Sequence, residues 1–108
     1  MFGWFRRKPN KLHHDVAQLA ALMRAVERHL RDGNSAHWAE QVARCADIVE
    51  QSDSYGLDRF LGLFGGMGSL NDVVLHRDDV LLDHENNELH RLLNEAFELA
   101  RRLQREPR

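Results

Sequence analysis

Two long stretches of this chain carry apolar residues at alternating spacings of four and three, and this periodicity limits the folds open to the chain. An α-helix of 3.6 residues per turn places residues with such spacing on one face, whereas a β-strand requires strict alternation. The pattern therefore predicts two long amphipathic helices. Their apolar faces consist of Leu12, Val16, Leu19, Met23, Val26 and Leu30 in the first, and Leu89, Leu92, Ala96, Leu99 and Leu103 in the second.

Residues that begin or end helices divide the chain into four predicted helices. The first opens after Pro9-Asn10 and closes at Asp32-Gly33, where we expect the glycine to take the left-handed conformation. The second is expected from an N-cap at Asn34 or Ser35 to about Ser52. The third is expected from a cap at Asp53 or Ser54, through Leu57, Phe60, Leu61 and Phe64, to Gly65-Gly66. The fourth is expected from Asp83 or Asn86 to Gln104.

These elements predict an all-α fold, a small bundle of about four helices in a single domain over residues 1–108, which has room for one core. The one long irregular region begins with the Gly-rich segment and extends over residues 65–82, with Val73 to Leu75 as an extended segment or a helical turn. Residues 1–10 are expected to form a flexible N-terminal segment and residues 105–108 a frayed C-terminus. We expect the core to contain Leu19, Met23, Val42, Phe60, Leu92 and Leu99.

Composition and charge exclude several classes of protein. The net charge of −2 argues against a domain that coats nucleic acid, since such domains are usually strongly basic. No stretch approaches the roughly 20 apolar residues that span a bilayer. A single cysteine, Cys45, cannot form an internal disulfide, which fits a reducing compartment. Aromatic Phe2, Trp4 and Phe5 precede the basic residues at the N-terminus, the reverse of a secretory signal, so we expect a cytoplasmic protein.

The same three aromatic residues leave weak peripheral contact with a membrane open, because aromatic rings beside basic residues suit an interface with anionic lipid. Packing of the segment onto the bundle, or disorder, is the favoured interpretation.

A glycine-rich run, LFGGMGSLND, follows the third predicted helix. It lacks the Gly-Lys-Ser/Thr of a phosphate-binding P-loop, and no strand precedes it as a dinucleotide site requires. Ser69, Asn71 and Asp72 have side chains that commonly bond nearby backbone groups. The run is therefore either a structural turn, which we favour, or a segment that presents Asn71 and Asp72 to a ligand.

The residues that support metal binding or catalysis do not form a recognisable site. None of the seven histidines lies four residues from another, the spacing that helical metal sites favour. His84 and Glu88, with Asp79 and Asp83, form a conceivable oxygen-and-imidazole site, but solvated helix faces are the favoured interpretation. Cys45 lies on an apolar helix face and no G-x-S-x-G motif occurs. We predict no catalytic residue, no metal and no cofactor.

An acidic segment provides the strongest indication of function. Residues 78–88 contain five acidic residues and neither lysine nor arginine. Acids near a helix N-terminus stabilise the helix dipole, which explains part of this acidity. The rest forms a patch suited to another protein with a basic surface. The predicted partner-binding residues are Asp78, Asp79, Asp83, Glu85 and Glu88.

Residues 62–76, GLFGGMGSLNDVVLH, resemble a motif of a family of small bacterial proteins of unknown function, a GGMGS-hydrophobic-ND block between a helical N-terminal half and a C-terminal helix. The resemblance implies no activity. In size and isoelectric point the chain is also similar, by analogy, to immunity proteins that neutralise bacterial toxins. The residues that match the motif are Gly65, Gly66, Gly68, Ser69, Asn71 and Asp72.

Together these features predict a small cytoplasmic protein-interaction domain, of the immunity or adaptor type, that binds a partner protein. The alternative is a small-ligand-binding protein or metal-dependent enzyme that uses Asn71, Asp72 and nearby histidines and acids. The two differ in an observable way, because a ligand site requires a cleft where these side chains converge.

Overall fold

A computed structural model describes residues 9–65 and 68–105, with side chains from residue 14 onward. It confirms the predicted all-α bundle of four helices, to which a two-stranded hairpin is added. The N-terminal aromatics Phe2, Trp4 and Phe5 lie outside the described residues. In chain order the elements are α1 (Pro9–Asp32), α2 (Ala36–Glu50), α3 (Tyr55–Leu61), a 3-10 turn (Leu70–Asp72), β1 (His76–Arg77), β2 (Val80–Leu81) and α4 (Asp83–Arg105).

The helices pack around one apolar core. Helix α1 contacts α2 and α4, and the short α3 closes the bundle by packing against the same two helices. The apolar faces predicted from the 3.6-residue period supply most of the interior, and the six predicted core residues are all buried. Leu70 and Leu75 are also fully buried, so the segment between α3 and α4 contributes to the core at two points.

Helix α3 ends at Leu61 rather than at the predicted Gly65-Gly66. The Gly62 N–H donates to the Asp58 carbonyl oxygen at 3.0 Å, and the chain then leaves the helix in turns. Phe64 nevertheless packs edge-on against Phe60, with 5.2 Å between ring centroids. Their contact therefore does not require the continuous helix that the i, i+4 spacing predicted.

The turn between α1 and α2 differs from its prediction at Gly33. The left-handed residue is Asn34, with φ 66°, whereas Gly33 has no positive φ. Asparagine tolerates this region better than most residues because its short polar side chain bonds locally. Gly33 is needed for a different reason: a Cβ atom there would lie only 2.6 Å from Cδ2 of Leu75.

The predicted irregular region contains an antiparallel hairpin, in which His76 pairs with Leu81 and Arg77 with Val80. The two residues between the strands, Asp78 and Asp79, have φ of 53° and 66°. Positive φ at both central positions is the signature of a type I′ turn, whose twist matches that of the strands it joins. Of the two alternatives for residues 73–75, the extended one is closer, because the structure assigns no helix between residue 72 and the hairpin.

None of the helices within residues 9–65 and 68–105 combines the length and the apolar character that crossing a membrane demands.

Candidate functional site

The hairpin exposes apolar side chains that an isolated domain would normally bury. Val80 is 61% exposed, Leu81 55% and Val74 46%. Single exposed apolar residues are common on protein surfaces, but contiguous patches mark contact sites more often. These three lie within eight consecutive residues, on the hairpin and on the segment that leads into it. The hairpin face is defined by these three residues together with Asp78, Asp79, Asp83 and Glu85.

Four of the five predicted partner-binding acids belong to this face. Asp78 and Asp79 form the hairpin turn, and Asp83 and Glu85 lie in the first turn of α4. Only three residues separate these pairs, so the four carboxylates are close along the chain. Glu85 is half-buried and the other three are exposed. None of the four forms an ion pair with a described residue.

Glu88, the fifth predicted acid, is in a different situation. Its carboxylate pairs with Arg91 one turn further along α4, and Arg91 also pairs with Glu95. The hydrogen bond from Arg91 holds the pKa of Glu88 below its ordinary value. Because its charge is already balanced locally, Glu88 adds less than the other four to the negative potential of the hairpin face.

Leu75 anchors the base of the hairpin. Its side chain is fully buried against Gly33, at the end of α1. The Asn86 side chain bonds both backbone polar groups of Leu75: Oδ1 accepts from the Leu75 N–H at 2.7 Å, and Nδ2 donates to the Leu75 carbonyl oxygen at 3.2 Å. The Leu82 N–H donates to that same carbonyl at 3.2 Å. The start of α4 therefore acts toward Leu75 as a neighbouring strand would.

Two further bonds join the hairpin to the end of α1. Asn34 Nδ2 donates to the His76 carbonyl oxygen at 3.2 Å, and Arg77 Nη2 donates to the Asp32 carbonyl oxygen at 3.1 Å. The anchoring roles of Gly33, Asn34, Arg77 and Asn86 were missed by the sequence reasoning. No pattern in the neighbouring sequence indicates these roles, because each of the four residues contacts a residue more than ten positions away.

The glycine-rich motif is organised as a tight turn. Asp72 Oδ2 accepts from the Gly68 N–H at 2.9 Å, and the Ser69 hydroxyl donates to Asn71 Oδ1. Gly68 has φ 75° and Gly65 φ 102°, conformations that strongly favour glycine. Gly66 lies outside the described residues.

The turn places Leu70 in the core, where its N–H donates to the Leu63 carbonyl oxygen at 2.9 Å. Asp72 and Asn71 thus both accept hydrogen bonds within the turn, and both are exposed.

Asn71 borders an open groove of about 510 Å³ between α3, the motif and α4. Its floor is aromatic, because Phe64 and Phe97 lie with ring centroids 4.8 Å apart. The Arg101 guanidinium lies 5.7 Å from the centroid of the Phe97 ring. The groove is lined by Leu61, Phe64, Gly65, Asn71, Asn94, Phe97, Arg101 and Gln104.

No metal cluster accompanies these surfaces in the described part of the chain, and the cysteine lies in the core. Cys45 is fully buried, and desolvation raises its pKa to about 11, so its thiol is protonated near neutral pH. No three His, Cys, Asp or Glu side chains converge as metal ligands among the described residues. His84 and Glu88, the candidates from sequence, do not belong to such a group together with Asp79 and Asp83.

Two arginines of α1, Arg24 and Arg31, pair with carboxylates of the protein. Arg24 pairs with Asp47 at 2.6 Å and with Glu50 at 2.7 Å, which joins α1 to α2. The hydrogen bonds that Arg24 donates to Glu50 and then to Asp47 raise its pKa. Arg31 pairs with Glu27 at 2.9 Å. The charge of these two arginines is balanced by the protein itself.

A family model described as a domain of unknown function (DUF6966) matches residues 31–83. The matched segment runs from the end of α1 to the first residue of α4, and so includes the glycine-rich motif and the hairpin. No curated protein and no solved structure matches the chain.

Proposed function

We propose that the protein is an interaction domain that binds a basic partner protein through its hairpin face. The observation that carries the proposal is the combination on one short segment of exposed Val80 and Leu81 with carboxylates that have no ion-pair partner among the described residues. Apolar side chains supply contact area, and unbalanced charge of one sign selects a partner of the other sign. The acids concerned are Asp78, Asp79, Asp83 and Glu85.

The hairpin is too small to form a stable interface by itself. Specific interfaces bury about 800 Å² on each partner, more than two strands of two residues can offer. The contact therefore extends over the neighbouring surface, namely the end of α1 and the first turn of α4. Both are joined to the hairpin through Asn34, Arg77 and Asn86, so the whole surface is preorganised and loses little entropy on binding.

An immunity-type or adaptor role in the cytoplasm fits this surface. A toxin that acts on nucleic acid or nucleotides has a basic site, and an acidic protein that covers such a site would inhibit it. The negative potential would also speed the encounter, which matters for an inhibitor that must bind before damage occurs.

The test separates charge from backbone conformation. Lysine at Asp79 would be strained at φ 66°, whereas asparagine tolerates positive φ. The variant Asp78→Asn/Asp79→Asn therefore removes two charges and keeps the turn. The matched control, Glu95→Gln/Glu98→Gln, removes two charges at least about 18 Å along α4 from Asp83.

Partners are first captured from the host with the full chain and identified, and association is then followed by surface plasmon resonance. The hairpin variant should lower the association rate about tenfold at low salt and flatten its salt dependence, whereas the control should not. Val80→Thr/Leu81→Thr should instead raise the dissociation rate, because apolar contact is lost. The proposal is contradicted if the wild type and all three variants bind the partner equally. It is also contradicted if the wild type captures no protein that is missing from the capture with a variant carrying all four hairpin substitutions.

A further inference from the structure

The groove between α3, the motif and α4 has an apolar floor made by two aromatic rings. The rings of Phe64 and Phe97 are tilted by 56° at a centroid distance of 4.8 Å, and Phe60 meets Phe64 from the buried side. Phe64 and Phe97 are only half-buried, so part of their ring surface remains accessible. Such a surface favours a planar apolar group, because aromatic rings gain from stacked or edge-to-face contact beyond the area that they bury.

A positive charge lies at one wall of this floor. Arg101 is half-buried, its guanidinium lies near the Phe97 ring, and it forms no ion pair with any described residue. Asp58, a nearby acid, instead accepts a hydrogen bond from Gln104 Nε2 at 3.1 Å. This differs from Arg24, Arg31 and Arg91, which are all paired with carboxylates. Arg101 thus offers an unbalanced, planar set of donors beside an apolar surface.

Amide groups complete the rim. Asn71 comes from the glycine-rich motif and Asn94 from α4, and both are exposed at the groove. Asn71 Oδ1 accepts from Ser69, so Nδ2 is the group that this amide can offer a ligand as a donor. The motif therefore serves the groove as well as the core, because the turn that buries Leu70 also positions Asn71.

We infer that this groove is a binding site for a small aromatic carboxylate, with its ring on Phe64 and Phe97 and its carboxylate on Arg101. The volume of about 510 Å³ lies in the range of small-molecule sites, roughly 300–1,000 Å³. A single guanidinium matches the one charge and two oxygens of a carboxylate, which it binds through paired N–H donors. This inference is independent of the hairpin face, since the two surfaces share no residue.

The test uses 2-naphthoate as the probe and its uncharged analogue 2-naphthamide as the control ligand, with binding to the full chain followed by ¹H–¹⁵N correlation spectra. Naphthoate should shift the resonances of Leu61, Gly65 and Phe97, and should bind about fivefold more tightly than naphthamide, the effect of one partly exposed charge pair.

Arg101→Gln should remove that preference for the carboxylate. Its matched control, Arg102→Gln, makes the same change of charge at the next, exposed position of α4 and should keep the preference. Phe97→Leu should weaken both ligands alike, because it removes the aromatic floor and leaves the charge. The inference is overturned if naphthoate does not bind, if its shifts lie elsewhere, or if the two arginine variants behave alike.

Discussion

Replacing Gly33 with alanine tests how the hairpin is joined to the bundle. A Cβ atom at this position would lie 2.6, 2.8 and 2.9 Å from Cδ2, Cβ and Cγ of Leu75. Carbon atoms pack best at about 3.5–4.0 Å, so the contact must open by about 1 Å. Rotation of the Leu75 side chain cannot relieve it, because Cβ does not move with χ1. The backbone of Leu75 must shift, against its hydrogen bonds to Asn86.

The expected net cost is about 1–2 kcal/mol. Overpacking of a filled core costs about 1–3 kcal/mol. Alanine offsets part of this, about 0.4–1 kcal/mol, because it restricts the unfolded chain and Gly33 does not need positive φ. With a urea m-value of about 1–1.5 kcal/mol/M, the unfolding midpoint of Gly33→Ala should fall by about 1 M.

Gly62→Ala is the matched control. Its Cβ would approach no heavy atom closer than the Asp58 carbonyl oxygen at 3.3 Å, so its midpoint should stay within about 0.5 M of the wild type. Adding Leu75→Ala to Gly33→Ala removes two of the three crowded atoms. The double variant should therefore be more stable than the sum of the single effects predicts, by about 0.5–1 kcal/mol. Wild-type stability or better for Gly33→Ala would refute the contact between the hairpin base and α1.

Two further predictions concern buried polar groups. Asn86→Ala should lower the free energy of unfolding by about 2 kcal/mol, because the Leu75 N–H loses its acceptor, while Asn86→Asp, which keeps an acceptor, should cost less in the same urea titration. An unchanged midpoint for Asn86→Ala would show that water replaces the bond. Burial raises the pKa of Cys45 from 9.0 to about 11, so the folded state holds the thiol proton to higher pH than the unfolded state does. The resulting stability is complete below pH 9.0 and is lost as the pH rises through about 11, a loss that Cys45→Ala should abolish. Rapid labelling of native Cys45 by a disulfide reagent at about pH 8 would contradict its burial.

The helices and core could be predicted because their signal is local and repeated. A stripe such as Leu89, Leu92, Ala96 and Leu99 samples one period many times, so no single residue decides the assignment. The error at Phe64 has the opposite origin. Its i, i+4 relation to Phe60 satisfies a helical pattern, yet the chain has already left α3 at Leu61, and the ring contact is kept through turns.

The hairpin could not be predicted from its strands, because two residues are too few to show a period of two. Its turn, Asp78-Asp79, also lacks the glycine that usually marks a type I′ turn. The groups that stabilise the hairpin are distant in sequence: Gly33 and Asn34 from the turn after α1, and Asn86 from α4. The groove is partly of the same character, since the fold brings Phe64 beside Phe97 of α4, whereas Arg101 meets Phe97 within α4 itself.

The acidic segment shows why charge in a sequence is ambiguous evidence for binding. Asp78 and Asp79 have a conformational reason to be present, because both hold positive φ, which aspartate tolerates. Asp83 and Glu85 have an electrostatic one, as they lie in the first turn of α4 near the positive end of its dipole. Neither reason accounts for the exposed Val80 and Leu81 between the two pairs, because polar residues at these positions would be equally compatible with the turn and with the start of α4. Asparagine at positions 78 and 79 adopts the same backbone conformation without the charge. If that variant loses association but keeps the unfolding midpoint of the wild type, the charge itself contributes to binding.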